Sequence, residues 1–139
     1  MPKEKKTTEK KVKTVKVQKA KVRKEVTSGR VYVTATFNNT LVSFTDREGN
    51  VLATGSCGAA GFKGARKATP FAATTVVEIL GKKVTDLGMR EVEVYIKGPG
   101  AGRDAVLRVL KTMGFSISLI ADVTPIPHNG PRPKKKRRV

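Results

Sequence analysis

Lys97-Gly98-Pro99-Gly100-Ala101-Gly102-Arg103 is the stretch whose residue types and spacing most clearly suggest chemistry. It joins a strand-like run to a helix-like run. A glycine-rich turn there directs backbone N–H groups outward at the positive end of a helix dipole, and a lysine and an arginine flank it. That combination suits a phosphate. A nucleotide cofactor fits poorly: the glycines read G-x-G-x-G instead of G-x-G-x-x-G, and no G-K-[ST] follows to make a Walker loop. Catalysis finds no constellation either. His128 is the single histidine and lies beside a basic tail, and Cys57 is the single cysteine, with no histidine near it in sequence. The acids have ordinary explanations: Asp46 and Glu48 in a turn, Glu91 and Glu93 on the polar face of one strand, Asp104 in the first turn of a helix. No acid, base and nucleophile can be assembled, and no metal set with the usual spacing exists. The chain is expected to be neither an enzyme nor a holder of a metal or cofactor.

A second glycine-rich stretch, Ser56 to Ala68, holds Lys63, Gly64, Arg66 and Lys67 around Phe62. Cations on such a backbone suit RNA phosphates, against the plainer reading of an ordinary flexible loop. Phe62 either anchors the loop in the core or stacks on a base, and the core is the commoner use of phenylalanine.

The elements that must position these loops follow from periodicity. Arg30 to Phe37 alternates β-branched and aromatic residues and is expected to be a strand. Asn38-Asn39 is a turn signal, Thr40 to Thr45 a second strand, Asp46 to Asn50 another turn, and Val51 to about Gly55 a third strand, together an antiparallel meander. Thr69-Pro70 has the form of an N-cap followed by proline at the first helical position. Phe71, Ala72, Ala73, Val76, Val77, Leu80, Val84 and Leu87 then recur at helical spacing, which predicts a helix from Pro70 to about Leu87 with Gly88 as its stop. Gly81 lies inside it and marks a bend or an early end. Glu91 to Lys97 is a fourth strand, Arg103 to Met113 a second helix with Ala105, Val106, Val109 and Leu110 on one face, and Phe115 to Ala121 a fifth strand. The order β-β-β-α-β-α-β implies an α/β fold with a five-stranded mixed sheet. The last two strands enter through helical crossovers parallel to the first, and helices are expected on both faces in a three-layer α/β/α arrangement.

Charge is distributed unevenly over the 139 residues, whose formal net charge is +18. Residues 1–27 carry 11 Lys/Arg against 3 Glu. Residues 123–139 carry 6 Lys/Arg and no acid. The chain therefore divides into a basic N-terminal arm (1–27), a mildly basic α/β domain (28–122), the candidate RNA-binding body, and a basic C-terminal tail (123–139). Both arms are expected to be disordered when free, the first too poor in large apolar residues and the second too broken by proline. Basic arms point to a polyanion, most often nucleic acid and less often an anionic membrane surface. Taken alone, Pro133-Lys134-Lys135-Lys136-Arg137-Arg138-Val139 also has the form of a nuclear import signal, which needs only clustered cations. The lone cysteine excludes an internal disulfide and fits a reducing compartment. No apolar run approaches the roughly 20 residues that span a bilayer.

Four segments in order carry a resemblance to a known family: ATFNNTLVSFTDREGNVL, GFKGARKATPFAA, EVYIKGPGAGRDAVLR, and DVTPIPHNG with the basic end. From about Arg30 onward the chain resembles the bacterial-type small-subunit ribosomal proteins of the S-eleven family. The resemblance implies a ribonuclease H-like topology without that enzyme's activity. It further implies a structural constituent that binds small-subunit ribosomal RNA in the platform, near where messenger RNA leaves, and that supports assembly and translation. Its partners would be that RNA and neighbouring platform proteins, with messenger RNA close by, no membrane and no small-molecule substrate. Its place would be cytoplasmic, in the ribosome of a bacterium or an organelle. Carried over by position, the RNA-binding residues are Asn38 and Asn39; Lys63, Gly64, Arg66 and Lys67; Lys97, Gly98, Gly100, Gly102 and Arg103; His128, Asn129 and Gly130; and Arg132, Lys134, Lys135, Lys136, Arg137 and Arg138. The chain departs from the family pattern at Thr54, near which tryptophan is usual, at Cys57, commonly alanine, and at Pro131 to Lys134.

Affinity for small-subunit ribosomal RNA is expected to fall steeply with salt, each neutralised phosphate adding roughly 0.7–0.9 to the magnitude of the slope of log K against log salt. Filter binding across a salt series measures it, and a flat response would refute an electrostatic grip.

Overall fold

The structure, a computed structural model, describes residues 25–138. Most of the N-terminal arm, residues 1–24, and Val139 lie outside the described residues. Eight elements follow in order: β1 (Ser28–Ala35), β2 (Thr40–Asp46), β3 (Val51–Ser56), a 3-10 turn (Gly64–Ala68), α1 (Pro70–Thr85), β4 (Glu91–Lys97), α2 (Gly102–Thr112) and β5 (Ser116–Asp122). The strands form one mixed sheet in the order β3-β2-β1-β4-β5. β1–β2 and β2–β3 are antiparallel, whereas β1–β4 and β4–β5 are parallel. The five strands and two helices are those the periodicity predicts, within two or three residues at their ends. The 3-10 turn inside the second glycine-rich stretch has no apolar periodicity that would mark it in the sequence.

The helices do not cover both faces. The connections β3-α1-β4 and β4-α2-β5 both step the same way across the sheet, and right-handed crossovers in one direction land on one face. Accordingly α1 and α2 touch each other: a Cβ added at Gly102 would lie 3.1 Å from the Cβ of Ala73. A single core joins Val31, Val33, Val42, Phe44, Val92, Val94 and Ile96 of the strands to Ala73, Val77, Leu80 and Val84 of α1 and to Val106 and Leu110 of α2. The expected α/β/α sandwich is thus a two-layer one. The opposite face of the sheet carries the intervening residues. There Tyr32 and Tyr95 stack with centroids 5.3 Å apart, and Glu93 accepts hydrogen bonds from Arg30 Nε and Tyr95 Oη, each at 3.1 Å.

Local chemistry fixes the helix ends. The Thr69 hydroxyl accepts from the Ala72 N–H at 3.3 Å, with Pro70 next to it, so α1 begins as a capped, proline-led helix. Gly81 neither bends nor ends it: the helix continues to Thr85, and the missing side chain leaves room for Met113. Phe71 departs from the expected core stripe. It sits in the first turn, 71% exposed, edge-on to Phe62.

Gly102 is a packing residue. An alanine there would bring its Cβ to 2.5 Å from Thr40 Oγ1 as well as against Ala73, and Thr40 and Ala73 are both buried. Gly102→Ala is expected to destabilise by about 1–3 kcal/mol through overpacking, despite the roughly 1 kcal/mol that alanine gains in helix propensity. Urea unfolding measures the balance, and a more stable variant would contradict this packing.

Candidate nucleic-acid interface

The topology gathers the candidate residues at one end of the sheet. Because β3, β1, β4 and β5 all run the same way, their C-terminal ends lie together. From that end leave the β1–β2 turn with Asn38 and Asn39, the loop with Lys63 to Lys67, the turn from Lys97 to Arg103, and the C-terminal tail. Both helices begin there, so their positive dipole ends face the same way. The far end holds the β2–β3, α1–β4 and α2–β5 connections, where Asp46, Glu48, Asp86 and Glu91 stand beside Arg47 and Arg90.

The β1–β2 turn is built by Thr36. Its hydroxyl accepts from the Asn39 N–H at 3.0 Å and donates to the Asn39 carbonyl at 2.9 Å. The Asn39 side chain in turn accepts from the Thr40 N–H at 2.9 Å, so Asn39 shapes the turn while Asn38 stays exposed. Phe37, which alternation assigns to the strand, projects instead from this turn with 80% of its surface exposed. No sequence signal separates it from a strand-end aromatic; only the closing hydrogen bonds at Thr36 do.

The second loop begins at buried Cys57, whose N–H donates to the Thr40 carbonyl. Burial pushes the thiol's pKa up, which makes it a poorer nucleophile. Phe62 is half-buried against the core and meets Phe71, so it does anchor the loop. Lys63 and Arg66 line an open concavity with Phe62, while the stem of Lys67 lies across Gly58. Gly64 has φ +60°, a conformation that favours glycine, and it starts the 3-10 turn that presents the two exposed cations Lys63 and Arg66.

The third loop is held more tightly than a free phosphate cradle would be. Gly98 has φ +97° and lies so close to the Ala35 carbonyl that any Cβ would collide with it. The Gly100 N–H donates to that same carbonyl at 2.9 Å, and the Gly98 N–H donates to the Thr124 hydroxyl at 3.1 Å. Two of the loop's amides are therefore engaged within the chain. At the start of α2 the N-cap, Ala101, supplies no side-chain acceptor to the first-turn donors.

Arg103 braces this loop to the tail. Its Nη1 donates to the Gly98 carbonyl at 2.6 Å and its Nη2 to Asp122 Oδ2 at 2.5 Å. Asp122 Oδ1 also accepts from the Thr124 N–H and hydroxyl, at 3.0 and 2.6 Å. The guanidinium, and after it the Thr124 hydroxyl, hold the Asp122 carboxyl far below the ordinary carboxylate range. Lys97 stays exposed and unpaired among the described residues. From Thr124 onward the tail is exposed, with Asn129 at φ 57° making a bend beside His128 and Gly130, and with Arg132 and Lys134 to Arg138 beyond it. Among the described residues, no three His, Cys, Asp or Glu side chains group to hold a metal. No helix among them is long and apolar enough to cross a membrane.

A family model described as ribosomal protein S11 matches residues 29–138. Among curated proteins, the small ribosomal subunit protein uS11 of Chromobacterium violaceum is 54% identical over 125 residues, covering 90% of this chain and 95% of that protein. The protein of the same name from Desulfotalea psychrophila is 54% identical over 122 residues, covering 88% and 97%.

The brace generates a test. A depressed carboxylate pKa means its stabilisation is present above the unfolded value, about 3.9, and is lost only as pH falls through the lower folded one. The brace is therefore expected to hold unchanged from pH 5 to 9. Asp122→Asn is expected to speed amide exchange at Gly98 and Thr124 while leaving the core amides of β1 protected. Exchange read by NMR checks it; unchanged rates at Gly98 would refute the brace.

Proposed function

The chain belongs to the ribosomal protein S11 family, and we propose that it grips ribosomal RNA with the end of its sheet from which the basic loops and tail emerge. The protein is a structural, non-enzymatic component of the small ribosomal subunit, and it works with ribosomal RNA and other ribosomal proteins. The convergence of four cation-bearing or polar segments at one sheet end carries the finer reading.

In this reading Lys63, Arg66 and Lys97 meet phosphates as exposed charges, and the start of α2 receives another. Lys67 adds charge from its position over Gly58, and Gly64 sets the turn that holds Lys63 and Arg66. Asn38 contacts RNA from the hairpin tip, beside Phe37. Asn39, Gly98, Gly100, Gly102 and Arg103 act one step back, by shaping the surfaces that touch RNA. The tail from His128 to Arg138 runs along the backbone, steered at its root by Asp122 and Thr124. Specificity comes from RNA shape and junctions, since the major groove of A-form RNA is too narrow to read. The RNA is that of the platform near the messenger RNA exit, with neighbouring platform proteins alongside. The basic bias of the tail, the mixed charge of the far end, where Arg47 and Arg90 stand among the acids, and membership of the family support this placement.

Lys63→Ala with Arg66→Ala is expected to weaken binding to small-subunit ribosomal RNA and to lower the salt slope by about 1 for each phosphate left without its cation, with the melting temperature unchanged. Arg47→Ala with Arg90→Ala, at the far end, is expected to leave binding unaltered. Equal weakening by the two pairs would overturn the polarity of the surface.

A further inference from the structure

Among the described residues, β5 forms one edge of the sheet and pairs only with β4. Its outer backbone N–H and C=O groups have no partner among the described residues. Exposed edges are ordinarily guarded by lysine, proline or a covering segment. β5 has one irregularity, a register shift opposite Val92–Glu93, and its sequence SISLIAD has no cation and no proline. Its single charge, Asp122, is tied to Arg103.

Apolar side chains flank this edge on both faces. Leu119 lies opposite Glu93, on the face without helices, and is 44% exposed. Ile120 lies opposite Val94, on the helix side, and is 56% exposed. An open groove of about 500 Å³ runs along the strand, lined by Phe115, Ile117, Ser118, Leu119 and Ile120, with Lys111 at its rim. A strand laid on this edge would alternate its side chains between the two faces and find an apolar neighbour on each.

We propose that the β5 edge docks an extended segment of another protein, apolar in alternation and neutral or acidic in charge, which adds a sixth strand to the sheet. The proposal rests on the family reading, since the partner would be a component of the small subunit. Charge selects the occupant. A second copy would bring two chains of +18 together without a counterion between them. Phosphates would meet carbonyls and aliphatic side chains here, with one lysine at the rim. A neutral or acidic strand meets the unpaired backbone, both apolar walls and Lys111 at once.

The test places a photo-cross-linking amino acid at Leu119 or at Ile120 in the full chain and purifies small subunits carrying it. Both positions are expected to cross-link to one segment of one other ribosomal protein, at neighbouring residues, as a paired strand requires. Cross-links only to RNA, to this chain's own residues 1–24 or to a second copy would overturn the proposal, as would none. Ile120→Lys, at an exposed site, is expected to keep the melting temperature and the chain's own place in the subunit while losing the cross-link from position 119. Failure of the chain to co-sediment with small subunits would overturn the family reading and this proposal together; co-sedimentation without a protein cross-link overturns only the latter.

Discussion

The handedness of two crossovers governs this structure. Once β3 leads through α1 to β4, and β4 through α2 to β5, a right-twisted sheet places both helices on the same side. That constraint gives one thick core and one open sheet face. The common direction of β3, β4 and β5, in turn, sends every strand-to-helix loop, and the tail, out of the same end. The concentration of cations there is a consequence of topology acting on a sequence in which the loops after β3 and β4 are basic. The same residues in a sheet whose crossovers stepped in opposite directions would start their helices on opposite faces.

Two kinds of residue divide the work at that end. Glycines act through what they lack. Gly98 and Gly100 let the third loop lie against the carbonyls of Ala35 and Thr36, and Gly102 lets α2 reach α1 beside Thr40. Those contacts tie the loop to the sheet, so Lys97 projects from a fixed root. Arg103, by sign a phosphate ligand, serves instead as a crosspiece between Gly98 and Asp122. The desolvation and ordering of that guanidinium are met within the chain, before any RNA is bound. On the proposed reading the loop would therefore meet RNA already shaped, which lowers the entropy lost on binding.

Much of this was legible in the residues. Alternation in RVYVTA and EVEVYI marks strands because one face of each is buried, and the TP pair before FAATTVVEIL marks a helix start because cap and proline both act locally. Local signals could not reveal which side of the sheet a helix takes, since that depends on the order of strands, and the three-layer expectation failed there. Spacing alone puts Phe37 and Phe71 in buried stripes; hairpin closure by Thr36 and the edge contact with Phe62 turn them outward. The four basic or polar segments were recognisable one by one, but their meeting at one end required the topology, and the tie between Arg103 and Asp122 spans 19 positions.

The open face and the β5 edge show where the charge logic stops. A parallel sheet ordinarily has both faces covered, yet here the side that no described element covers includes the three parallel strands β1, β4 and β5. Its charged side chains compensate one another, Arg30 with Glu93 and Arg47 near Glu91, and two tyrosines lie stacked next to the first pair. A surface kept near neutrality inside so basic a chain repels no protein and offers little to phosphate. Aromatic rings, apolar side chains and an unpaired backbone edge are features of protein contacts, where charge is depleted at the centre and tyrosine is enriched. The molecule is thus polarised twice: along the strands, between a cation-rich loop end and a far end of mixed charge, and across the sheet, between a core-packed face and a neutral one. The surface proposed for RNA and the edge proposed for protein are therefore separate, and occupation of one leaves the other free.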